Sequence, residues 1–102
     1  MHPTRTPLLA QLLHARRTDV LRVAAAYGGR NVRLFGSVAR GQDTPTSDVD
    51  LLVTLDAGRT LLDLIAIQQD LEDLLGCSVD VVTEESISPY LRERILQEAV
   101  PL

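Results

Sequence analysis

The sequence predicts a small α/β (α+β) domain, a mixed sheet with helices packed on one face. Three observations predict it. Short apolar runs at 31–35, 48–55 and 78–82 have strand length, apolar residues recur at helical spacing between and around them, and glycines punctuate the transitions. At 102 residues the chain can bury a single core, leaving no room for a second substrate-binding domain.

Taken in order, Met1–Pro7 carries Pro3 and Pro7 and reads as a frayed start. It has neither the apolar stretch nor the small-residue cleavage site of a secretory signal, and no apolar run in the chain is long enough to cross a bilayer. A cytoplasmic protein without membrane partners is the expectation. From Leu8 to Tyr27, Leu9, Leu12, Leu13, Val20, Val23, Ala24 and Tyr27 recur at helical spacing, and Gly28-Gly29 ends the pattern. Asn31–Phe35 is the first strand. Asp48–Leu55 is the second, followed by a turn at Asp56–Arg59. Thr60 and Asp63 form a capping box for a helix whose Leu61, Leu64, Ile65, Leu71, Leu74 and Leu75 face the core, and Gly76 stops it. Ser78–Val82 is the third strand. Pro89 opens a last helix with Leu91, Ile95, Leu96 and Ala99 at helical spacing.

Composition excludes several function classes. The net charge of −4 is the wrong sign for a general nucleic-acid binder, which needs clustered cations to neutralise phosphates. A single nucleotide needs only one or two local cations, and Arg33 and Arg40 lie close in sequence to the Gly36-Ser37 turn described next. There is no lysine, so no lysine nucleophile. Cys77 is the sole cysteine, which rules out an internal disulfide and a cysteine-based zinc site, and it reads as a small buried hydrophobe.

The chemistry concentrates in Leu34-Phe35-Gly36-Ser37-Val38-Ala39-Arg40-Gly41 and the Asp48-Val49-Asp50 that opens the second strand. Residues i and i+2 of a strand share a face, so Asp48 and Asp50 present adjacent carboxylates that repel one another unless a cation binds. Mg²⁺ suits such a pair when a substrate's phosphates complete its shell. Gly36 permits close backbone approach and Ser37 adds a hydroxyl donor, which together suit those phosphates. Arg40 either donates to phosphate or lies on the surface of the short helix. The segment Gly41–Ser47 is a solvated turn or a lid. Asp80, between Val79 and Val81, either marks a solvent-facing edge or completes the acidic site.

Gly-Ser closing one apolar strand and Asp-x-Asp opening the next resembles the signature of the DNA polymerase β-type nucleotidyltransferase superfamily. Phe-Gly-Ser-Val-Ala-Arg-Gly with Ser-Asp-Val-Asp-Leu-Leu-Val is similar to the minimal nucleotidyltransferase (MNT) antitoxins that pair with HEPN-domain toxins. The resemblance implies a nucleotidyltransferase fold over residues 1–102, with an N-terminal helix (1–28) and a catalytic core (31–99). It implies Asp48, Asp50 and Asp80 as catalytic and metal-binding residues for two Mg²⁺ ions, with Asp80 helping to take the proton from the attacking group. Gly36, Ser37 and Arg40 are the implied nucleotide contacts. The implied activity is transfer of AMP from ATP to a tyrosine hydroxyl of a HEPN toxin, in a type VII-like toxin–antitoxin pair. Two alternatives belong to other classes: a binder that neutralises its partner by occlusion, and half of a split small-molecule nucleotidyltransferase.

Overall fold

The computed structural model describes residues 8–42 and 48–102. The expectations for Met1–Pro7, and for residues 43–47 of the loop after Gly41, lie outside the described residues. The elements run α1 (Leu8–Ala15), α2 (Arg17–Ala26), β1 (Gly29–Phe35), α3 (Gly36–Ala39), β2 (Val49–Leu55), α4 (Leu61–Leu75), β3 (Val79–Val82), a 3-10 turn (Glu84–Ser86), α5 (Pro89–Glu98) and β4 (Val100–Pro101).

Four strands form one mixed sheet in the order β3-β2-β1-β4. The central strand β2 is antiparallel to β1 and parallel to β3, as the chain order β1-α3-β2-α4-β3 demands: a short connection reverses direction, and a crossover helix restores it. One face of the sheet is the core. Val49, Leu51 and Val53 of β2 stack with Val32 and Leu34 of β1 and with Val79 and Val81 of β3, against Val20 and Ala24 of α2 and Leu64, Ile67, Leu71 and Leu75 of α4. Alternation along a strand sends Asp50, Leu52 and Thr54 to the other face.

Helix α4 matches its sequence signals. Thr60 Oγ1 accepts the Leu62 N–H at 3.2 Å while the Asp63 carboxylate accepts the Thr60 N–H at 2.9 Å, so orphan donors are satisfied on both sides of the cap. Gly76 closes the helix in the left-handed conformation, φ 69°, where its N–H reaches the Glu72 carbonyl. The core stripe is 64, 67, 71 and 75, however, and Leu61 and Ile65, expected to face the core, are exposed.

Several other expectations change. The single helix over Leu8–Tyr27 is interrupted at Arg16, although the Arg16 N–H still reaches the Leu12 carbonyl and the Val20 N–H the Arg16 carbonyl. One apolar stripe still serves both pieces, because Leu13 and Val20 are both buried, so the periodicity carries no sign of the break. The first strand begins at Gly29, earlier than Asn31, and contains a bulge. Arg30 pairs with Thr54 and Arg33 with Leu52, so β1 has one residue more than β2 across this step, and Asn31 takes up the strain with φ 52°. Strand β4 has no sequence signal, and its pairing to β1 comes from tertiary context. Finally, α5 buries none of its residues, so its apolar positions do not join the core. Not every helix therefore packs on the one buried face.

Candidate active site

Asp48 immediately precedes β2, one residue outside the strand expected to open with it, and β2 carries Asp50 on the face opposite the core. The register then builds the site around Asp50. Directly across β1 stands Phe35, and directly across β3 stands Asp80. Residues paired in register share a face, so Asp50 and Asp80 are neighbours on the open side of the sheet. Asp80 is exposed on the edge strand β3, as the edge reading expects, and it is also the register partner of Asp50. The bulge at Asn31 matters here. A shift of one residue moves every side chain beyond it to the other face, and without the extra residue Leu34 would sit where Phe35 and the turn into Gly36 now meet Asp50.

Gly36 has φ 78°, a conformation that side chains resist, and a Cβ there would run into the Asp50 carboxylate. Both constraints single out glycine. The chain then makes the one helical turn of α3, in which the Arg40 N–H returns to the Gly36 carbonyl at 3.1 Å and the Gln42 N–H to the Ser37 carbonyl at 2.9 Å. Buried Val38 pins this turn to the core, and Ser37, the residue before it, is half-buried. Arg40 is exposed, with Nε donating to Gln42 Oε1 at 3.1 Å and Nη1 to Glu98 Oε1 at 2.7 Å. Arg33 has other partners. Its Nε donates to the Asn31 carbonyl at 3.2 Å and its guanidinium lies 3.6 Å from Glu84, so it is engaged as an ion-pair partner away from the phosphate-loop role its sequence position suggested.

Electrostatics mark Asp50 as the strained member. Burial, followed by the charges of Asp80, Asp48 and Glu98, pushes its carboxyl up to about 6, and Arg40 only partly opposes them. Glu98 was not visible as a site residue in the sequence. It stands in the last turn of α5, 62 positions from Gly36, yet its Oε1 accepts the Gly36 N–H at 2.6 Å. Local pattern carried no signal for it. The pairing of Val100 with Leu34, and the Leu102 N–H bonded to the Val32 carbonyl, fold the C-terminal segment back beside β1. Cys77 is half-buried against the core, and burial with nearby Glu72 and Asp48 raises its thiol, which suits packing and not nucleophilic chemistry.

Among the described residues, no three acidic, histidine or cysteine side chains form a ready-made cage for an ion. Mg²⁺ does not need one, since it is commonly held by one or two carboxylates with phosphate and water completing the shell. Hard oxygen donors at Asp48 and Asp50, and a net excess of negative charge that raises Asp50, fit such an ion.

Comparison with known proteins resolves the family. The nucleotidyltransferase domain model matches residues 20–102. This chain belongs to the nucleotidyltransferase family. A Methanocaldococcus jannaschii protein named as a protein adenylyltransferase is 43% identical over 84 residues, covering 82% of this chain and 90% of its own. The protein adenylyltransferase MntA of Thermococcus cleftensis is 38% identical over 74 residues, covering 72% of this chain and 75% of its own. Among solved structures, one described as a minimal nucleotidyltransferase superposes with TM-score 0.82 at 50% identity, covering 91% of this chain and 95% of its own. The MNT antitoxin bound to an AMPylated HEPN toxin of Shewanella oneidensis shares the fold, with TM-score 0.64 at 22% identity over 90% of this chain and 70% of its own. Among the described residues, no helix is long and apolar enough to cross a membrane.

Proposed function

We propose that this nucleotidyltransferase transfers AMP from ATP to a hydroxyl, a tyrosine side chain by analogy with the family, on a partner HEPN toxin and so acts as its antitoxin. The observation that carries the reading is the register pairing of Asp50 with Asp80 beside Gly36, which gathers acidic ligands and a phosphate turn on one open face. The names of the relatives, protein adenylyltransferases, supply the transferred group, and the fold neighbour with an AMPylated HEPN toxin supplies the acceptor class.

In this reading the whole chain works as one minimal domain. Gly36 and Ser37 hold the distal phosphates through a backbone N–H and a hydroxyl, and Arg40 offsets their charge. Asp48 and Asp50, with Asp80, would hold Mg²⁺, which when bound stabilises charge on the triphosphate and the leaving pyrophosphate. Asp80, exposed on the edge strand, also accepts the proton of the attacking hydroxyl. The acceptor oxygen bonds to the α-phosphorus as the bond to pyrophosphate breaks, and positioning supplies most of the rate. Exposed Asp80 is where a partner's hydroxyl would approach.

Intact-mass spectrometry of the partner toxin, after incubation with this protein, ATP and Mg²⁺, tests the reading. One or more AMP additions are expected with the wild type and none with Asp48→Asn/Asp50→Asn. Stoichiometric neutralisation without any added mass would establish occlusion instead.

A further inference from the structure

The phosphate turn already holds an anion. Glu98 Oε1 accepts the Gly36 N–H at 2.6 Å and the Arg40 Nη1 at 2.7 Å. These are two of the donors that the proposed function gives to the distal phosphates. We propose that Glu98 is a built-in competitor for the nucleotide: its carboxylate fills the phosphate seat in the free protein, and the triphosphate binds by displacing it together with the last turn of α5. This rests on the nucleotidyltransfer reading and adds a residue that regulates entry to the site.

Three physical features support displacement over a permanent brace. Glu98 adds negative charge to a face that already carries Asp48, Asp50 and Asp80, and its field is among the causes that raise Asp50. Among the described residues, the Gly36 N–H and the Arg40 guanidinium are the donors that hold it there against that repulsion. A triphosphate offers the same donors more charge and more acceptor oxygens, and arrives with its own cation. The third feature is the mounting of α5. None of its residues is buried, and among the described residues its other ion pair is the 3.7 Å contact of Arg92 with Glu84; the chain is anchored after the helix, through the two-residue pairing of β4 and the Leu102 N–H on the Val32 carbonyl. A segment with so few apolar contacts can open locally at small cost.

Calorimetric titration with a non-hydrolysable ATP analogue and Mg²⁺ tests the proposal. Glu98→Gln should bind roughly tenfold more tightly than wild type, because a charged competitor is replaced by a weak neutral one. Glu93→Gln, a change of equal charge on the same helix, should bind as wild type does. Hydrogen exchange on the unmodified protein gives a second measure: the amides of 97–100 should lose protection when the analogue saturates the site. Equal or weaker binding by Glu98→Gln, or unchanged or increased protection at 97–100, would overturn the proposal. If wild type binds the analogue, Ser37→Ala weakens it and Glu98→Gln leaves it unchanged, the competitor falls while the nucleotide site stands. Absence of binding by both wild type and Glu98→Gln would remove both.

Discussion

The two faces of β2 differ at its N-terminal end, where alternating residues put apolar side chains on one side and carboxylates on the other, although further along the second face also buries Leu52 completely. On one face Val49, Leu51 and Val53 are at most 1% exposed and sit under two helices. On the other, Asp50 is half-buried beside Asp80, and a glycine backbone is pressed against it. The first face gathers apolar area and stabilises the fold; the second gathers like charges and opposes it. The stability of the core face is what holds the repelling carboxylates of the site face together. A face that frustrates its own charges has to stand on such a platform.

The helices repeat the contrast. Helix α4 buries four residues and is capped at both ends, whereas α5 buries none and is tied by ion pairs to the open face. Packing makes α4 a permanent part of the domain. Helix α5 depends on polar contacts instead.

The largest effect should come from breaking the core face. Leu51→Ala should cost about 2–5 kcal/mol in a urea or thermal unfolding experiment, the range for a buried leucine replaced by alanine. A loss below about 1 kcal/mol would mean that the site does not depend on that platform. Next, Ser37→Ala on the site face should leave the melting temperature nearly unchanged while weakening nucleotide binding by about 1.5–3 kcal/mol, the worth of a hydrogen bond to a charged group. Calorimetry showing equal affinity would take Ser37 out of the site.

A smaller effect of opposite sign is expected for the carboxylates themselves. Asp48→Asn/Asp50→Asn should melt at or above the wild-type temperature in EDTA at neutral pH, and should gain less from ATP with Mg²⁺. The pH dependence sharpens this for Asp50. Its folded pKa of about 6 lies above the ordinary value of 3.8, so between these values the native state binds more protons than the unfolded one. Its contribution is therefore fully present below about 4 and is lost as pH rises through about 6. Asp50→Asn lacks that slope, so its advantage over wild type should grow across this window and disappear at its acid end; a difference independent of pH would contradict the repulsion. The smallest effect is Leu91→Ser on α5, which should change stability by no more than about 0.5 kcal/mol, as for other exposed sites. A loss comparable to a core truncation would erase the distinction between α4 and α5.

Much of this was legible in local pattern. Strand alternation alone puts Asp48 and Asp50 on the face that Val49 and Leu51 avoid, because backbone geometry fixes a period of two. Thr60, Asp63 and Gly76 bound α4 because capping depends only on neighbouring residues, and Gly-Ser followed by Asp-x-Asp identifies the family for the same reason. Tertiary structure decided what depends on register and return of the chain. The bulge at Asn31 sets which side of β1 meets Asp50, the β2–β3 pairing places Asp80 opposite Asp50, and β4 brings Glu98 to Gly36. Which amphipathic helix is buried was also undecided, since α4 and α5 both carry apolar residues at helical spacing and only α4, the crossover between parallel strands, is laid across the sheet. A sequence fixes where side chains point within one element; which elements meet is set by contacts between residues tens of positions apart, and no local period encodes those.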